Sequence, residues 1–133
     1  MKTLFLTACF LLMLCSNGFS YPEADQDKKV KIDSVANDSI KYELIVMDLG
    51  YETFLLTQPS MNFYSEDYYR FWNQRYVTEW NIRYHSSTSP NLYETYIDYD
   101  PNTNYGIELE YKLYYYFQFF EQTNHVKLIQ RKG

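Results

Sequence analysis

Tyrosine constrains the fold of this chain more than any other residue type, because 16 of its 133 residues are tyrosine. Its two cysteines, Cys9 and Cys15, both lie in an N-terminal apolar segment. The rest of the chain therefore has no disulfide framework and no thiol nucleophile, so packing must supply its stability. Each buried tyrosine ring carries a hydroxyl group that needs a hydrogen-bond partner. We predict that many of the tyrosine rings lie at the edge of the core, with their hydroxyl groups bonded to water or to backbone carbonyls.

Residues 1–20 have the pattern of a secretory signal peptide: a positive charge at Lys2, an apolar run over residues 4–14, and a small-x-small end. We predict cleavage after Ser20. As a helix the apolar run would rise only about 16 Å, whereas a bilayer core is ~30 Å thick, so we predict no transmembrane span. A lipoprotein signal is disfavoured because Leu14, and not a small residue, precedes Cys15. The expected location is periplasmic or secreted.

Composition divides the remaining chain into two parts. Residues 21–39 mix charges of both signs and contain few large aliphatic side chains, which predicts a flexible leader. Residues 40–130 have the length and apolar content of a single globular domain.

Local patterns predict five elements in this domain. Residues 40–47, 92–99 and 126–130 have the composition of strands, and residues 65–84 have helical periodicity. Residues 105–122 fit both periodicities, and their length without a breaker favours a helix. The expected fold is α+β, or small α/β, in the order strand-helix-strand-helix-strand. A three-stranded sheet would be covered by the two helices.

The helix predicted at residues 65–84 carries an aromatic stripe at spacings of three and four residues. Two polar side chains share that face, and two interpretations stay open. They are either a satisfied amide and an arginine at the helix edge, or a polar pair that lines a pocket among the rings. The candidate binding residues are Asn73, Arg83, Trp72, Tyr76 and Trp80.

Oxygen-bearing side chains alternate along residues 98–108, as they do in calcium-binding loops. The pattern departs from such a loop at Thr103, where glycine is needed, and at Leu109, where a bidentate glutamate is needed. A plain turn at Pro101 is the competing interpretation. No cofactor is expected beyond this weak calcium candidate, whose ligands would be Asp98, Asp100, Asn102, Asn104 and Glu108.

Other chemistries find little support in the sequence. The net charge is −5, and no cluster of basic residues offers a footprint for nucleic acid. There is no glycine-rich phosphate loop, and the two histidines, His85 and His125, lie outside any metal-ligand spacing. Carboxylates for glycoside hydrolysis are plentiful, but their separations, which define such a pair, cannot be read from a sequence.

Several segments together resemble a known family. They are YELIVMD at residues 42–48, LTQP at 56–59, YVTEWN at 76–81 and IDYDP at 97–101. The sequence is similar to exported Bacteroidetes proteins that form a family of unknown function, DUF6146. The resemblance covers approximately residues 40–129, implies an envelope or secreted location, and transfers no catalytic residue.

The sequence therefore leaves two functions open. The first is a non-enzymatic module of the cell envelope that binds a protein or glycan partner through exposed aromatic surface. The alternative is a small hydrolase that acts on glycans through paired carboxylates. We expect the first, because binding requires fewer coincidences among residue types.

Overall fold

The computed structural model describes residues 30–36, 40–86, 89 and 91–132. The predicted signal peptide, its cleavage site and residues 21–29 of the predicted leader lie outside the described residues. Within the described residues, no helix has both the length and the apolar character needed to cross a bilayer.

The described chain is a mixed α+β structure. Strands β1 (Val30–Ala36) and β2 (Ile40–Val46) pair antiparallel, with Val30 opposite Val46. A short helix α1 (Tyr51–Leu56) and a 3₁₀ turn (Met61–Phe63) lead to the two long helices. These are α2 (Glu66–Ser86) and α3 (Ile107–Asn124), which lie within two residues of the predicted helices.

The predicted three-stranded sheet is wrong. The part of the chain that the structure describes contains one sheet of two strands, and residues 92–99 and 126–130 form no strand. The partner of β2 is instead β1, which lies inside the interval that composition assigned to the flexible leader. The side chain of Val30 is fully buried, and Ile32 packs against the core, so this segment contributes apolar contacts despite its charges.

Side chains of α2 supply hydrogen-bond partners for the backbone of residues 92–99, which therefore needs no neighbouring strand. The indole Nε1 of Trp80 donates a hydrogen bond to the carbonyl of Thr95 at 2.8 Å. The amide of Asn81 donates to the carbonyl of Ile97 at 2.9 Å and accepts from its N–H at 3.0 Å. Buried backbone groups must be paired, and here a helix supplies the partners that a sheet would otherwise supply.

The segment at residues 126–130 is held in the same way. One carboxylate oxygen of Glu121, on α3, accepts hydrogen bonds from the N–H groups of Leu128 at 2.8 Å and Ile129 at 3.4 Å. The guanidinium of Arg83, on α2, donates to the carbonyls of Lys127 at 2.9 Å and Leu128 at 3.3 Å. Both helices therefore fix the path of this segment.

The core is the aromatic contact between α2 and α3. Tyr76 stacks on Phe117 with ring centroids 5.0 Å apart, and Trp80 meets Phe120 edge to face at 4.6 Å. Edge-to-face and offset pairs add about 0.5–1.5 kcal/mol beyond the burial of area. We call these four residues the aromatic seam.

Several tyrosines lie inside the core and not at its edge, where we predict many of the rings. Tyr51, Tyr69 and Tyr116 are at most 1% exposed. Their hydroxyl groups are satisfied internally: Tyr51 donates to the carbonyl of Lys112 at 2.6 Å, and Tyr116 donates to the carboxylate of Asp48 at 3.0 Å. Burial raises the pKa of both phenols, which remain protonated donors.

We predict that Glu121→Ala destabilises the fold, because it leaves the buried N–H of Leu128 without its acceptor. An unsatisfied buried group costs about 1–3 kcal/mol. The measurement is the free energy of unfolding in urea. Gln122→Ala is the matched control, since Gln122 is exposed on the next position of α3. Equal losses in the two variants would contradict the role assigned to Glu121.

Candidate functional site

A buried carboxylate links α2 to the first turn of α3. The side chain of Glu110 is 0% exposed. Asn73 donates through Nδ2 to the carboxylate of Glu110 at 2.7 Å and to its backbone carbonyl at 2.8 Å. The hydroxyl of Tyr99 lies 3.1 Å from both carboxylate oxygens. We call Asn73, Tyr99 and Glu110 the carboxylate node.

One cation stands beside this node. The Nε of Arg70 is 3.6 Å from Oε1 of Glu110, and the same guanidinium pairs with Glu66 at 2.5 Å. Burial raises the pKa of the Glu110 carboxyl and outweighs the hydrogen bonds from Asn73 and Tyr99 and the charge of Arg70, which act to lower it. The node therefore holds a carboxyl group whose ionised form is disfavoured.

The node is closed to a substrate, because its carboxylate is buried. Oδ1 of Asn73, within the node, and Nε of Arg70, beside it, are buried without a hydrogen-bond partner among the described residues. Each such atom lowers the stability of the fold, because it gives up its hydrogen bond to water without a replacement. We conclude that Glu110 joins α2, α3 and residue 99 as a structural connection.

An open groove lies on the surface next to Tyr99. It has a volume of about 650 Å³, and we call it the Tyr96 groove. Its described lining contains no Asp, Glu, Lys or Arg, although these four residue types make up 22% of the chain. The lining residues are Val77, Thr78, Asn81, Ile82, His85, Ser86, Tyr96 and Tyr99.

Exposed rings form one wall of this groove. Tyr96 is 49% exposed, and its ring centroid lies 5.8 Å from that of His85 and 6.1 Å from that of Tyr84. Ile82 is 57% exposed beside them. The pair of hydrogen bonds between Asn81 and Ile97 attaches the segment that carries Tyr96 to α2, so the wall is held in place. The arrangement combines apolar faces with uncharged hydrogen-bonding groups.

The predicted binding residues do not line this groove. Asn73 donates a hydrogen bond to Glu110, and Trp80 donates one to the carbonyl of Thr95. Tyr76 stacks on Phe117 in the aromatic seam. Arg83 pairs with Glu79 at 2.7 Å and also donates to the hydroxyl of Tyr93 at 2.8 Å.

Trp72 is the fifth of these residues. It is half-buried, beneath the guanidinium of Arg131. A binding role for the set stays a prediction.

Sequence reasoning missed the residues of the groove because Ile82 and His85 are far from Tyr96 along the chain. The sequence does place two large side chains, Ile82 and Tyr84, at the end of α2, beyond the buried part of the aromatic stripe. Their position indicates an exposed surface, but it does not indicate which loop packs beside it, so the groove could not be predicted.

Several of the predicted calcium ligands make local contacts, either in the turn after Asp100 or in the first turn of α3. The carboxylate of Asp100 accepts from the N–H of Asn102 at 2.9 Å, and the side chain of Asn104 accepts from the N–H of Gly106 at 3.2 Å. Glu108 pairs with Lys112 at 2.8 Å. Within the described residues, no group of three or more His, Cys, Asp or Glu side chains is arranged to hold a metal ion. The calcium site stays a prediction.

A second groove, of about 660 Å³, runs between β2 and the start of α3. Its lining includes two carboxylates, those of Glu43 and Glu108, together with Lys112. This groove is where the hydrolase alternative would place its chemistry.

The fold and these grooves define a class: a small α+β domain with a closed carboxylate node and an open, uncharged aromatic groove. Residues 3–131 match the model of a family of unknown function, DUF6146, and the chain belongs to that family. The resemblance to DUF6146 found in the sequence is thereby confirmed. No curated protein and no solved structure matches the chain.

We predict that Glu110→Gln removes a pH-dependent loss of stability. A carboxyl whose pKa is raised by folding stabilises the protein when protonated, and that contribution is lost as the pH rises from about 4.5 through the raised value. Each unit of elevation corresponds to about 1.4 kcal/mol. The advantage of the variant over the wild type should therefore increase with pH. Urea unfolding between pH 4 and pH 8 measures it.

The control for this series is Glu52→Gln, which removes an acid from an exposed position of α1. Parallel stability curves for the wild type and Glu110→Gln would show that burial of this carboxyl has no cost.

Proposed function

We propose that the protein is a non-enzymatic module of the cell envelope that binds a neutral glycan in the Tyr96 groove. The observation that carries the proposal is that no Asp, Glu, Lys or Arg is among the described residues that line the groove, in a chain whose net charge is −5. A sugar ring has an apolar C–H face and a rim of hydroxyl groups. Aromatic rings suit the face, and neutral side chains that donate and accept hydrogen bonds suit the rim.

The groove offers both kinds of group in fixed positions. Tyr96 supplies an exposed ring, and His85 supplies ring nitrogens at the same wall. The wall does not need to form when a ligand arrives, because Asn81 already holds it. Preorganisation of this kind lowers the entropic cost of binding.

Binding is favoured over catalysis because the described lining of the groove contains no carboxylate. Glycoside hydrolysis by the usual mechanism needs a pair of them. The alternative activity, a glycan hydrolase, would use Glu43 and Glu108 in the groove beside β2. The ion pair between Glu108 and Lys112 disfavours that role, since a general acid must carry a proton.

The proposed location in the envelope rests on the signal-peptide pattern at residues 1–20. An exported domain would meet glycans of the periplasm or the cell surface. Lipid attachment is not part of the proposal, because Leu14 does not suit a lipoprotein signal.

We predict that the purified protein binds neutral oligosaccharides on a glycan array and that Tyr96→Ala weakens the strongest interaction at least about tenfold, or 1.4 kcal/mol. Isothermal titration calorimetry measures the affinity. Tyr96 is exposed, so its truncation should leave the helical circular dichroism unchanged.

Phe71→Ala is the matched control, since Phe71 is a 50% exposed ring on α2 that does not line the Tyr96 groove. Its affinity should equal that of the wild type. Absence of binding to any neutral glycan, or equal weakening by the two variants, would overturn the proposal. Release of reducing sugar that Glu43→Gln abolishes would favour the hydrolase instead.

A further inference from the structure

The last described segment of the chain places a guanidinium group among three rings of the two long helices. The Cζ atom of Arg131 lies 4.2 Å from the ring centroid of Trp72, 5.5 Å from that of Tyr76 and 5.3 Å from that of Tyr114. All three distances are within the ~6 Å at which a cation is attracted to an aromatic face. We call Trp72, Tyr76 and Tyr114 the cation cage.

The cage also offers directed hydrogen bonds. One terminal nitrogen of Arg131 donates to the hydroxyl of Tyr114 at 2.9 Å, and the other donates to the hydroxyl of Tyr76 at 3.0 Å. Two acceptors at this spacing match the planar fork of a guanidinium better than the point charge of an ammonium group. The geometry of the cage therefore suits a guanidinium better than an ammonium group.

Contacts that do not involve Arg131 hold the cage in place. Tyr76 is stacked on Phe117, and its hydroxyl also accepts a hydrogen bond from Gln118 at 3.1 Å. Tyr114 packs against Tyr69 with ring centroids 5.4 Å apart. The three rings are thus positioned by α2 and α3, and removal of Arg131 should leave them where they are.

Apart from the contacts of the Arg131 side chain with the cage, the segment that carries this residue has few attachments to the rest of the fold. The backbone before it is anchored by Arg83 and Glu121, up to Ile129. Of the described residues after Ile129, Arg131 alone makes hydrogen bonds or ring contacts, and its side chain is exposed at the open rim of the cage. Rotation of this short segment would free the cage without disturbing the core.

We propose that the cation cage is a binding site for the guanidinium group of an arginine side chain on a partner protein, and that Arg131 occupies this site in competition with the partner. The net charge of −5 attracts such a basic partner. A short tether holds Arg131 at an effective concentration of roughly millimolar. Free cations are therefore excluded, and a partner enters only if it makes additional contacts.

The test measures binding of Nα-acetyl-arginine amide, which presents one guanidinium with blocked termini. Isothermal titration calorimetry measures the binding, and the change in total tryptophan fluorescence, to which Trp72 and Trp80 both contribute, supports it in variants that keep Trp72. Arg131→Gln should bind the probe saturably, at least about tenfold more tightly than the wild type, because the tethered competitor is gone. Nα-acetyl-citrulline amide, which has nearly the same shape without charge, should not bind to either protein.

Two further variants decide whether the cage is the site. Trp72→Leu in the Arg131→Gln background should abolish binding. Arg75→Gln, which removes a guanidinium 4.3 Å from the ring of Phe71 elsewhere on α2, should create no new site and serves as the matched control.

A second variant, Arg131→Lys, tests the same competition if Arg131→Gln proves less stable than the wild type. Arg131→Lys keeps the charge but loses the planar fork, so it should compete less well and give intermediate affinity. If neither Arg131→Gln nor Arg131→Lys binds the probe more tightly than the wild type, Arg131 only holds its own segment against the helices and the proposal is wrong. Binding that survives Trp72→Leu would likewise overturn the proposal. Neither result bears on the glycan groove.

Discussion

The packing of rings between α2 and α3 is the contact on which the other features of this structure depend. It sets Tyr76 against Phe117 and Trp80 against Phe120 at close centroid distances. Because α2 is fixed in this orientation, Asn73 meets Glu110 across the seam, while Asn81 faces the segment that carries Tyr96. A domain without disulfide bonds thus obtains its rigidity from large aromatic surfaces.

Side chains of the two helices replace the neighbouring strands that a larger sheet would provide. Trp80 and Asn81 satisfy the backbone near residues 95–97, and Arg83 and Glu121 satisfy it near residues 127–129. This explains why polar groups occupy the buried side of α2. The same hydrogen bonds hold one wall of the Tyr96 groove and the segment that leads to the cation cage. The contacts that stabilise the fold therefore also position the two candidate sites.

Local patterns were sufficient to predict α2, α3 and β2, because periodicity and length are properties of a continuous segment. The strands predicted at residues 92–99 and 126–130 were wrong, although their composition suits strands, since their backbone partners are side chains distant in sequence. β1 was missed because charged residues surround Val30 and Ile32. The Tyr96 groove lies between α2 and a loop, and the buried Glu110 is bonded to Asn73 on another helix. Both features bring together residues that are distant in sequence, so no local pattern predicts them.

Because the other features depend on the packing of α2 against α3, we expect the helix pair, and not the sheet, to be the most stable part of the fold. Native-state hydrogen exchange, resolved by residue, tests it most directly. We expect the slowest exchange at amides of α2 and α3 around the aromatic seam, near residues 76–80 and 117–120, and faster exchange throughout β1 and β2. Protection of the two strands equal to or greater than that of the seam would contradict the claim.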